Sequence, residues 1–408
     1  MGDHTRCRIC ATPLPAPFLD LGAMPLANSF LASLDDAAAE PRYPLAVASC
    51  GRCGLVQLTY VVPAETLYRD YIYVTSTSDV VRVHADTLAG SLAARYGWSP
   101  DTLVVEVASN DGTVLRAVQR RGARVLGIEP ALNIASIAEA AGVPTVPEFF
   151  DATTAAAIRE RHGPAAAILG RHVFAHVDDV HDFLRGVETL LTPDGVLVIE
   201  VPYFTELIDK LEFDTIYHEH LSYVALTPIT RLCADHGLSL VDAEMVGLHG
   251  GSVIMHIQRG PRAASARVER MLADEGRRGL LRPESLAAFA SRVTAWKARF
   301  EDLVATTVAG GGRLIGYGAA AKANTLLNYC PDVARALGAI LDRSPHKHGR
   351  YTPGTHVPVV PVDEWMAAKA THMVILAWNL RDEIVRQMKP FADAGGHFIV
   401  PIPEPEIV

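Results

Sequence analysis

Leu103-Val104-Val105-Glu106-Val107-Ala108-Ser109-Asn110-Asp111-Gly112-Thr113-Val114-Leu115 carries the fold signal of this 408-residue chain. Residues 103–108 form an apolar run of strand length, residues 109–112 a turn, and Thr113 opens a helical pattern. A second apolar run, Val125-Leu126-Gly127-Ile128, ends on Glu129, which lies 17 positions beyond Gly112. Strand, turn, helix and strand in this order predict a parallel α/β sheet with a ligand crevice at the carboxyl ends of its strands. An acid closing the second strand can accept both hydroxyls of a ribose. The turn lacks the G-x-G-x-x-G cradle that a pyrophosphate needs. The expected ligand therefore carries adenosine without a pyrophosphate, S-adenosylmethionine rather than a nicotinamide cofactor. The plainer alternative is an ordinary strand–turn–helix with a surface Glu.

The sheet continues with Ala166-Ala167-Ile168-Leu169. A helix-like stretch leads to Pro193-Asp194-Gly195, a strong turn signal, and then to the strand Val196-Leu197-Val198-Ile199-Glu200-Val201. Two polar segments follow strands or interrupt apolar sequence: Gly170-Arg171-His172-Val173-Phe174-Ala175-His176, and Tyr217-His218-Glu219-His220 with its flanks. A Tyr, His, Glu, His run is costly to bury without partners. Histidine is the usual general base near neutral pH, and a neighbouring Glu can orient it or share its proton. A solvated loop and a second metal site, with His218 and His220 on one strand face, are the competing readings. No H-E-x-x-H helix motif supports the metal. The paired glycines of His249-Gly250-Gly251 permit close backbone approach, for a substrate or for turn geometry alone.

Upstream, Cys7/Cys10 and Cys50/Cys53 form two C-x-x-C pairs. Together they can give four thiolates to one tetrahedral zinc, with no coordination position left open for catalysis. A redox dithiol would be a single pair in a thioredoxin-like context. The 39 residues between the pairs exceed what a simple ribbon needs, so the metal pins down a small domain.

Downstream, Leu286, Phe289, Val293, Trp296, Phe300, Leu303 and Val304 keep helical spacing from Pro283 to about Val308, and Gly310-Gly311-Gly312 ends that helix. A further α/β unit opens with Leu314-Ile315-Gly316-Tyr317-Gly318-Ala319-Ala320-Ala321-Lys322, where a helix start and a lysine can receive an anion. The strand Ala339-Ile340-Leu341 runs into the basic loop 342–350, and strands at Val374-Ile375-Leu376-Ala377 and Phe398-Ile399-Val400 complete the unit. A solvated loop and a nucleotide diphosphate site both fit the basic loop.

Composition sets the outer limits. Hydrophobic residues at 49% and charged residues at 20% exclude a disordered chain. A net charge of −9 argues against a general nucleic-acid or membrane-surface binder. No apolar run reaches the roughly 18 residues of a membrane span, and MGDHTRCRIC has no apolar signal core, so the expected compartment is the cytoplasm.

The order of these segments resembles one family. Cys7-x-x-Cys10 with Cys50-x-x-Cys53, Glu106-Val-Ala-Ser-Asn-Asp-Gly112, Val173-Phe-Ala-His176, Tyr217-His-Glu-His220, His249-Gly-Gly251 and Gly316-Tyr-Gly-Ala-Ala-Ala-Lys322 are similar to the S-adenosylmethionine-dependent sugar C-methyltransferases acting on dTDP-linked 4-keto deoxysugars. The C-3′-methyltransferases of branched deoxysugar biosynthesis resemble it most. The likeness spans nearly the whole chain. It implies an α/β fold in three parts: a zinc-binding domain over 1–78, a class I (Rossmann-like) methyltransferase domain over 79–260, and a C-terminal α/β domain over 261–408 that helps bind the nucleotide sugar. It implies that the 4-keto group acidifies the C3 proton, that a base removes it, and that the resulting carbanion takes the methyl group. By the family pattern His220 is the base, Tyr217 and Glu219 are its catalytic neighbours, and His176 and Tyr71 are further active-site positions. The cofactor-binding set is Glu106, Ala108, Asn110, Asp111, Glu129, Pro130 and Asn133. The substrate-binding set is His172, His249, Lys322, Asn324, Arg343, Lys347 and Tyr351. His172 stands where Asn is expected, and Ala108 where many methyltransferases have glycine. The implied cofactors are S-adenosylmethionine and a structural zinc, and the implied partner is a dTDP-linked keto-sugar bound by a monomer, with no nucleic acid and no membrane. An O- or N-methyltransferase of the same fold, a zinc-containing RNA methyltransferase or nucleic-acid binder, and a non-catalytic sugar-nucleotide sensor are the rival functions.

Overall fold

The computed structural model describes residues 2–69, 71–247 and 250–408. Leu248 and His249, and with them the expected substrate role of His249, lie outside the described residues. The N-terminal part is an antiparallel sheet of β1 (Leu19–Met24), β2 (Tyr43–Ser49) and β3 (Val56–Leu58). Its fourth strand comes from the middle of the chain. Ser222–Tyr223 pairs with β3, Ser222 opposite Gln57 and Tyr223 opposite Val56. The segment directly after the Tyr-His-Glu-His run is thus stitched into the N-terminal sheet.

The central sheet contains β4 (Leu103–Val107), β5 (Arg124–Ile128), β6 (Thr145–Val146), β7 (Ala165–Arg171), β8 (Leu191–Pro202), β9 (Leu238–Val246) and β10 (Ser252–Arg259). Their spatial order is β9-β10-β8-β7-β4-β5-β6, with β10 antiparallel to both its neighbours and the β8-to-β6 portion parallel. This is the doubly wound order expected of a class I methyltransferase domain. It puts the switch point between β4 and β7, the place where doubly wound sheets take their ligands. Every residue of β4 is buried, its four apolar residues as a central parallel strand requires and Glu106 with them. Pro193-Asp194-Gly195 differs from its expected role. β8 begins at Leu191, which pairs with Ala165, and resumes pairing at Val196 opposite Ala167. Buried Leu191 keeps the pairing, so the turn residues bulge out of a continuous strand instead of preceding one.

The helix Pro283–Ala309 forms as its spacing predicts, with Leu286, Phe289, Val293, Trp296, Phe300 and Val304 buried. It leads into a third sheet of β11 (Leu314–Tyr317), β12 (Leu337–Asp342), β13 (Val359–Pro361), β14 (His372–Ile375), β15 (His397–Val400) and β16 (Glu406–Ile407). The order is β13-β12-β11-β14-β15-β16, parallel except for β16. The two larger sheets share one local device. The acid after the second strand accepts the amide of the first turn: Glu129 Oε2 from Asn110 N at 2.9 Å, and Asp342 Oδ2 from Ala319 N at 2.8 Å.

Two apolar cores cross between the parts, and a third lies within the central sheet and its helices. One apolar cluster joins Leu45 and Val47 of β2, Phe213, Ile216 and Leu221 around the polar run, Trp296 and Phe300 of the long helix, and Ile315 and Ile340 of the third sheet. A second joins Cys7, Ile9, Cys50 and Cys53 to Val105 of β4 and to Phe183 and Leu184. The helix Ala266–Arg278 packs on β9 and adds Val268 to that second cluster. Among the described residues no helix is long and apolar enough to cross a membrane.

Candidate active site and zinc centre

Cys7, Cys10, Cys50 and Cys53 place their sulfurs within 4.8 Å of one another, with Cys7–Cys53 and Cys10–Cys50 both at 3.4 Å. Tetrahedral zinc–thiolate geometry with Zn–S bonds of ~2.3 Å needs S···S separations of about 3.8 Å, so the cluster fits. Each pair is built on the same knuckle: Ala11 N donates to Cys7 O and Gly54 N to Cys50 O, both at 2.9 Å, and Ala11 and Gly54 both take positive φ. The Cys53 thiol pulls Cys7 down to about 5 while Cys53 itself is pushed up. Without a cation one thiolate is favoured and its neighbours hold their protons, Cys50 and Cys53 being raised; a zinc ion would supply the charge that lets all four ligate as thiolates. The residues expected to hold a structural zinc do converge.

The histidine chemistry gathers where the N-terminal sheet meets the central one. His220 Nδ1 is 2.8 Å from the carbonyl oxygen of Thr215 and Nε2 is 2.9 Å from the Tyr217 hydroxyl. A carbonyl only accepts, so the proton sits on Nδ1 and the Nε2 lone pair is left as a base. Desolvation lowers His220 from 6.5 to about 4, with the charges of His172 and Lys322 acting in the same direction. The His176 ring lies 5.0 Å from that of His220, and its Nδ1 is 2.8 Å from the Tyr68 hydroxyl. Burial also pulls His176 well below its usual value. Glu219 is 3% exposed and accepts from the Tyr71 hydroxyl at 2.8 Å and from Asn28 Nδ2 at 2.6 Å. Desolvation raises it to about 7. His218 points elsewhere, its Nε2 3.2 Å from the carbonyls of Tyr43 and Pro44, so it does not meet His220 as a co-ligand. Sequence reasoning missed Tyr68 and Asn28. Tyr68, Tyr71 and Tyr73 crowd within six positions, a usable hint; Asn28 sits in apolar sequence with no signal of its own.

At the cofactor turn Ala108 and Asn110 both take positive φ, 52° and 50°, so Ala108 adopts the conformation for which glycine is usual. Glu129 accepts from the amides of Asn110 and Ala131 at 2.9 Å each, which orients its carboxylate at the strand end and leaves lone pairs free for hydroxyls; Pro130 lies between. Glu106 is 3% exposed, its Oε2 has no hydrogen-bond partner among the described residues, and desolvation lifts it to about 8. A buried carboxylate of this kind calls for a cation. The neighbouring Arg171 gives its Nε to Glu200 at 2.8 Å and its charge also favours the Glu106 anion, while Glu200 takes His84 at 2.9 Å and His172 at 3.3 Å. Burial opposes the Glu200 charge, but these partners hold it well below the usual carboxylate range. His84 and Glu200 are further site residues that sequence alone did not select. Asn110, Asp111 and Asn133 bind the chain that carries Tyr71: Thr75 N to Asn110 Oδ1 at 2.8 Å, Ser76 N to Asp111 Oδ2 at 3.1 Å, and Asn133 Nδ2 to Tyr71 O at 2.9 Å. The cofactor turn and the Tyr71 segment are one hydrogen-bonded unit.

The substrate-binding expectations separate into groups. Lys322 lies over the Trp378 ring at 4.5 Å and donates to Asn379 at 3.0 Å, at the β11/β14 switch point. Asp214, which accepts from Trp378 Nε1 at 2.7 Å, and Glu212 supply its counter-charges. Asn324 is buried, donates to Ala27 O at 2.6 Å, and borders a small cleft with Tyr217. Lys347 turns inward to Ala319 O at 2.7 Å, Arg343 pairs with Glu383 at 3.1 Å on the surface, and Tyr351 pairs its backbone with Leu31. These last three do not meet the histidine cluster. The glycine pair has a packing explanation: a Cβ on Gly250 would stand 2.4 Å from Glu212 Oε1, and one on Gly251 2.6 Å from Glu206 Cγ, both at positive φ.

Comparison with known proteins covers each part. Residues 7–68 match the model of a zinc binding domain, 92–243 that of a methyltransferase domain, and 247–403 that of the C-methyltransferase C-terminal domain. The chain is 37% identical over 406 residues to the C-methyltransferase NovU of Streptomyces niveus, covering 98% of this chain and 96% of that one. Among solved structures, the mitomycin 7-O-methyltransferase MmcR is 19% identical over 45% of this chain and 56% of its own, with a TM-score of 0.36. The magnesium protoporphyrin IX methyltransferase of Synechocystis PCC 6803 with bound S-adenosylmethionine is 13% identical over 45% of this chain and 82% of its own, with a TM-score of 0.34.

Proposed function

This chain belongs to the S-adenosylmethionine-dependent C-methyltransferase family, and from that premise we propose that it methylates C3 of a dTDP-linked 4-keto deoxysugar with His220 as the base. The observation that carries the reading is the fixed tautomer of His220: Nδ1 is held by the Thr215 carbonyl, and Nε2 faces the Tyr217 hydroxyl. A ketone at C4 acidifies the hydrogens on its neighbouring carbons. Nε2 takes the C3 proton, and the bonding pair delocalises onto the ketone oxygen. Tyr217 turns its hydroxyl from Nε2 to that oxygen, and the Lys322 charge, which already reaches His220, favours the developing anion. Bound S-adenosylmethionine would supply an electrophilic methyl group on a sulfonium, the C3 carbanion giving its pair to the methyl carbon as the methyl–sulfur pair returns to sulfur. Glu129 would hold its ribose hydroxyls and Glu106 its ammonium group. No metal is needed at the reacting carbon, because the ketone is the electron sink, and the zinc of the four-cysteine cluster is structural. The nucleotide would extend toward Lys322 and the third sheet. The reading makes the substrate a small molecule.

Incubation with S-adenosylmethionine and dTDP-4-keto-2,6-dideoxyglucose in D2O, followed by mass spectrometry and NMR, tests it. A new methyl at C3 is the expected result. Deuterium at C3 without methyl means that the base works on a different natural sugar. A methyl at C5, the other carbon beside the ketone, keeps the chemistry and overturns the position. A methyl on oxygen or nitrogen overturns the C-methylation of this sugar.

Two further outcomes are expected. Glu106→Gln removes the carboxylate that a bound ammonium group would ionise and pair with, so affinity for S-adenosylhomocysteine falls by about tenfold in calorimetry while the thermal midpoint holds or rises; unchanged affinity would take Glu106 out of the cofactor set. The pH profile of kcat/KM should follow Glu219 and not a free histidine. Both Glu219 oxygens accept hydrogen bonds, so its anion is the organised form, and activity rises through about pH 7, where Glu219 titrates. In Glu219→Gln that limb disappears and the remaining acid limb drops toward about 4, the value of His220. An acid limb near 6.5 in the Glu219→Gln protein, the ordinary value of a histidine, would contradict the environment described for His220.

A further inference from the structure

Arg8 stands between the first two zinc ligands, and its side chain is fully buried, 0% exposed. A buried guanidinium is held in place by the groups that use its donors, because an unpaired buried charge is costly. Here Nε donates to Asp178 Oδ1 at 3.2 Å, and one terminal nitrogen donates to Leu221 O at 3.2 Å and Leu58 O at 3.5 Å, while the other terminal nitrogen has no hydrogen-bond partner among the described residues. Leu221 follows His220 in the chain, and Asp178 lies two residues beyond His176. Leu221 N in turn donates to Ala175 O at 2.7 Å, so the two histidine segments are tied to each other where Arg8 ties both to the zinc loop. The loop itself is rigid: Arg8 N donates to Gln57 Oε1 at 2.9 Å, and Gln57 Nε2 donates back to Arg6 O at 3.1 Å. His181 adds a second link to the loop, its Nε2 2.8 Å from Ile9 O.

We propose that Arg8 is a positioning residue for the reaction: its fork couples the zinc loop to the segments bearing His176 and His220, so that the metal-held backbone sets where the base stands. The inference rests on His220 being that base. A planar guanidinium holds two acceptors at a fixed separation, which a lysine ammonium cannot do. Leu58 N also donates to Leu221 O at 3.0 Å, so the segment stays attached without Arg8 but loses its second anchor. Small displacements of a reacting group cost up to about a hundredfold in rate.

The test uses the full zinc-loaded chain with Arg8→Lys, Arg8→Met, Asp178→Ala and His220→Asn. For each, zinc per chain, thermal midpoint and affinity for S-adenosylhomocysteine are measured. The rate of C3 hydrogen exchange is then followed in D2O with dTDP-4-keto-2,6-dideoxyglucose and S-adenosylhomocysteine. The expected result for Arg8→Lys is full zinc, cofactor affinity within about twofold of wild type, exchange and kcat both lowered by about tenfold, and KM little changed. Arg8→Met should lose more than Arg8→Lys, because the partial rescue by lysine distinguishes positioning from packing. A folded, zinc-loaded Arg8→Lys that exchanges at the wild-type rate overturns the proposal. If neither Arg8 variant folds, Asp178→Ala, which removes the acceptor, decides, since Asp178 is 56% exposed and holds only one prong of the fork: slowed exchange with full zinc supports the proposal, and wild-type exchange overturns it. Persistent exchange in His220→Asn overturns the base reading and this inference with it. Abolished exchange there, beside wild-type exchange in Arg8→Lys, overturns this inference alone.

Discussion

His220→Asn should lower kcat for methyl transfer by about a thousandfold, within the range that removal of a positioned general base produces. Asparagine keeps a donor for the Thr215 carbonyl, which His220 Nδ1 now meets at 2.8 Å, so the loop is expected to keep its shape. It cannot accept a proton at the Nε2 position. Glu106 and Glu129, proposed to hold the cofactor, sit at the ends of β4 and β5, on different strands from the His220 loop, so affinity for S-adenosylhomocysteine should stay within about twofold. Exchange of the C3 hydrogen into D2O should vanish together with methyl transfer, because both need the same proton removed. A variant that retains a tenth or more of the wild-type rate would move the base elsewhere, with His176, whose ring is 5.0 Å away, the next group to test.

The second large effect is expected at the metal. Cys50→Ser should cut bound zinc from one per chain to well under half and lower the thermal midpoint by about 10 °C. Structural zinc sites contribute folding free energy outright, so loss of a thiolate costs several kcal/mol. Cys50 is 1% exposed, its sulfur accepts the Arg52 amide at 3.4 Å, and it stands 3.4 Å from Cys10. A serine hydroxyl is a poor substitute on all three counts. Because the cysteines share an apolar cluster with Val105, Phe183 and Leu184, the damage should spread into the central sheet. Metal analysis and a melting curve settle it. A metal-free Cys50→Ser protein with an unchanged midpoint would contradict the structural role.

Short-range pattern made much of this legible. The run from Leu103 to Glu129, the spacing of the four cysteines and the helical stripe from Leu286 to Val304 each depend on neighbours within a few positions. The Tyr-His-Glu-His run announced itself by the cost of burying it. Pro193-Asp194-Gly195 misled, because turn chemistry is local, whereas Leu191 is held in the sheet by Ala165, a partner 26 positions away. The other omissions have the same origin. Asn28 meets Glu219 across 191 positions, Tyr68 meets His176 across 108, and Arg8 meets Leu221 across 213.

By itself the sequence determined the α/β class, the zinc cluster, the adenosine-type turn and the residue types of the histidine site. Those follow from periodicity and from chemistry carried on contiguous or regularly spaced residues. Only the tertiary structure decided which histidine keeps a free lone pair, since that depends on the Thr215 carbonyl facing Nδ1. It also decided that His218 faces β2 while His220 faces Tyr217, and that the zinc loop and both histidine segments form one hydrogen-bonded assembly. The physical reason is that hydrogen bonds act over about 3 Å, and which groups come that close is fixed by how three sheets share two apolar cores.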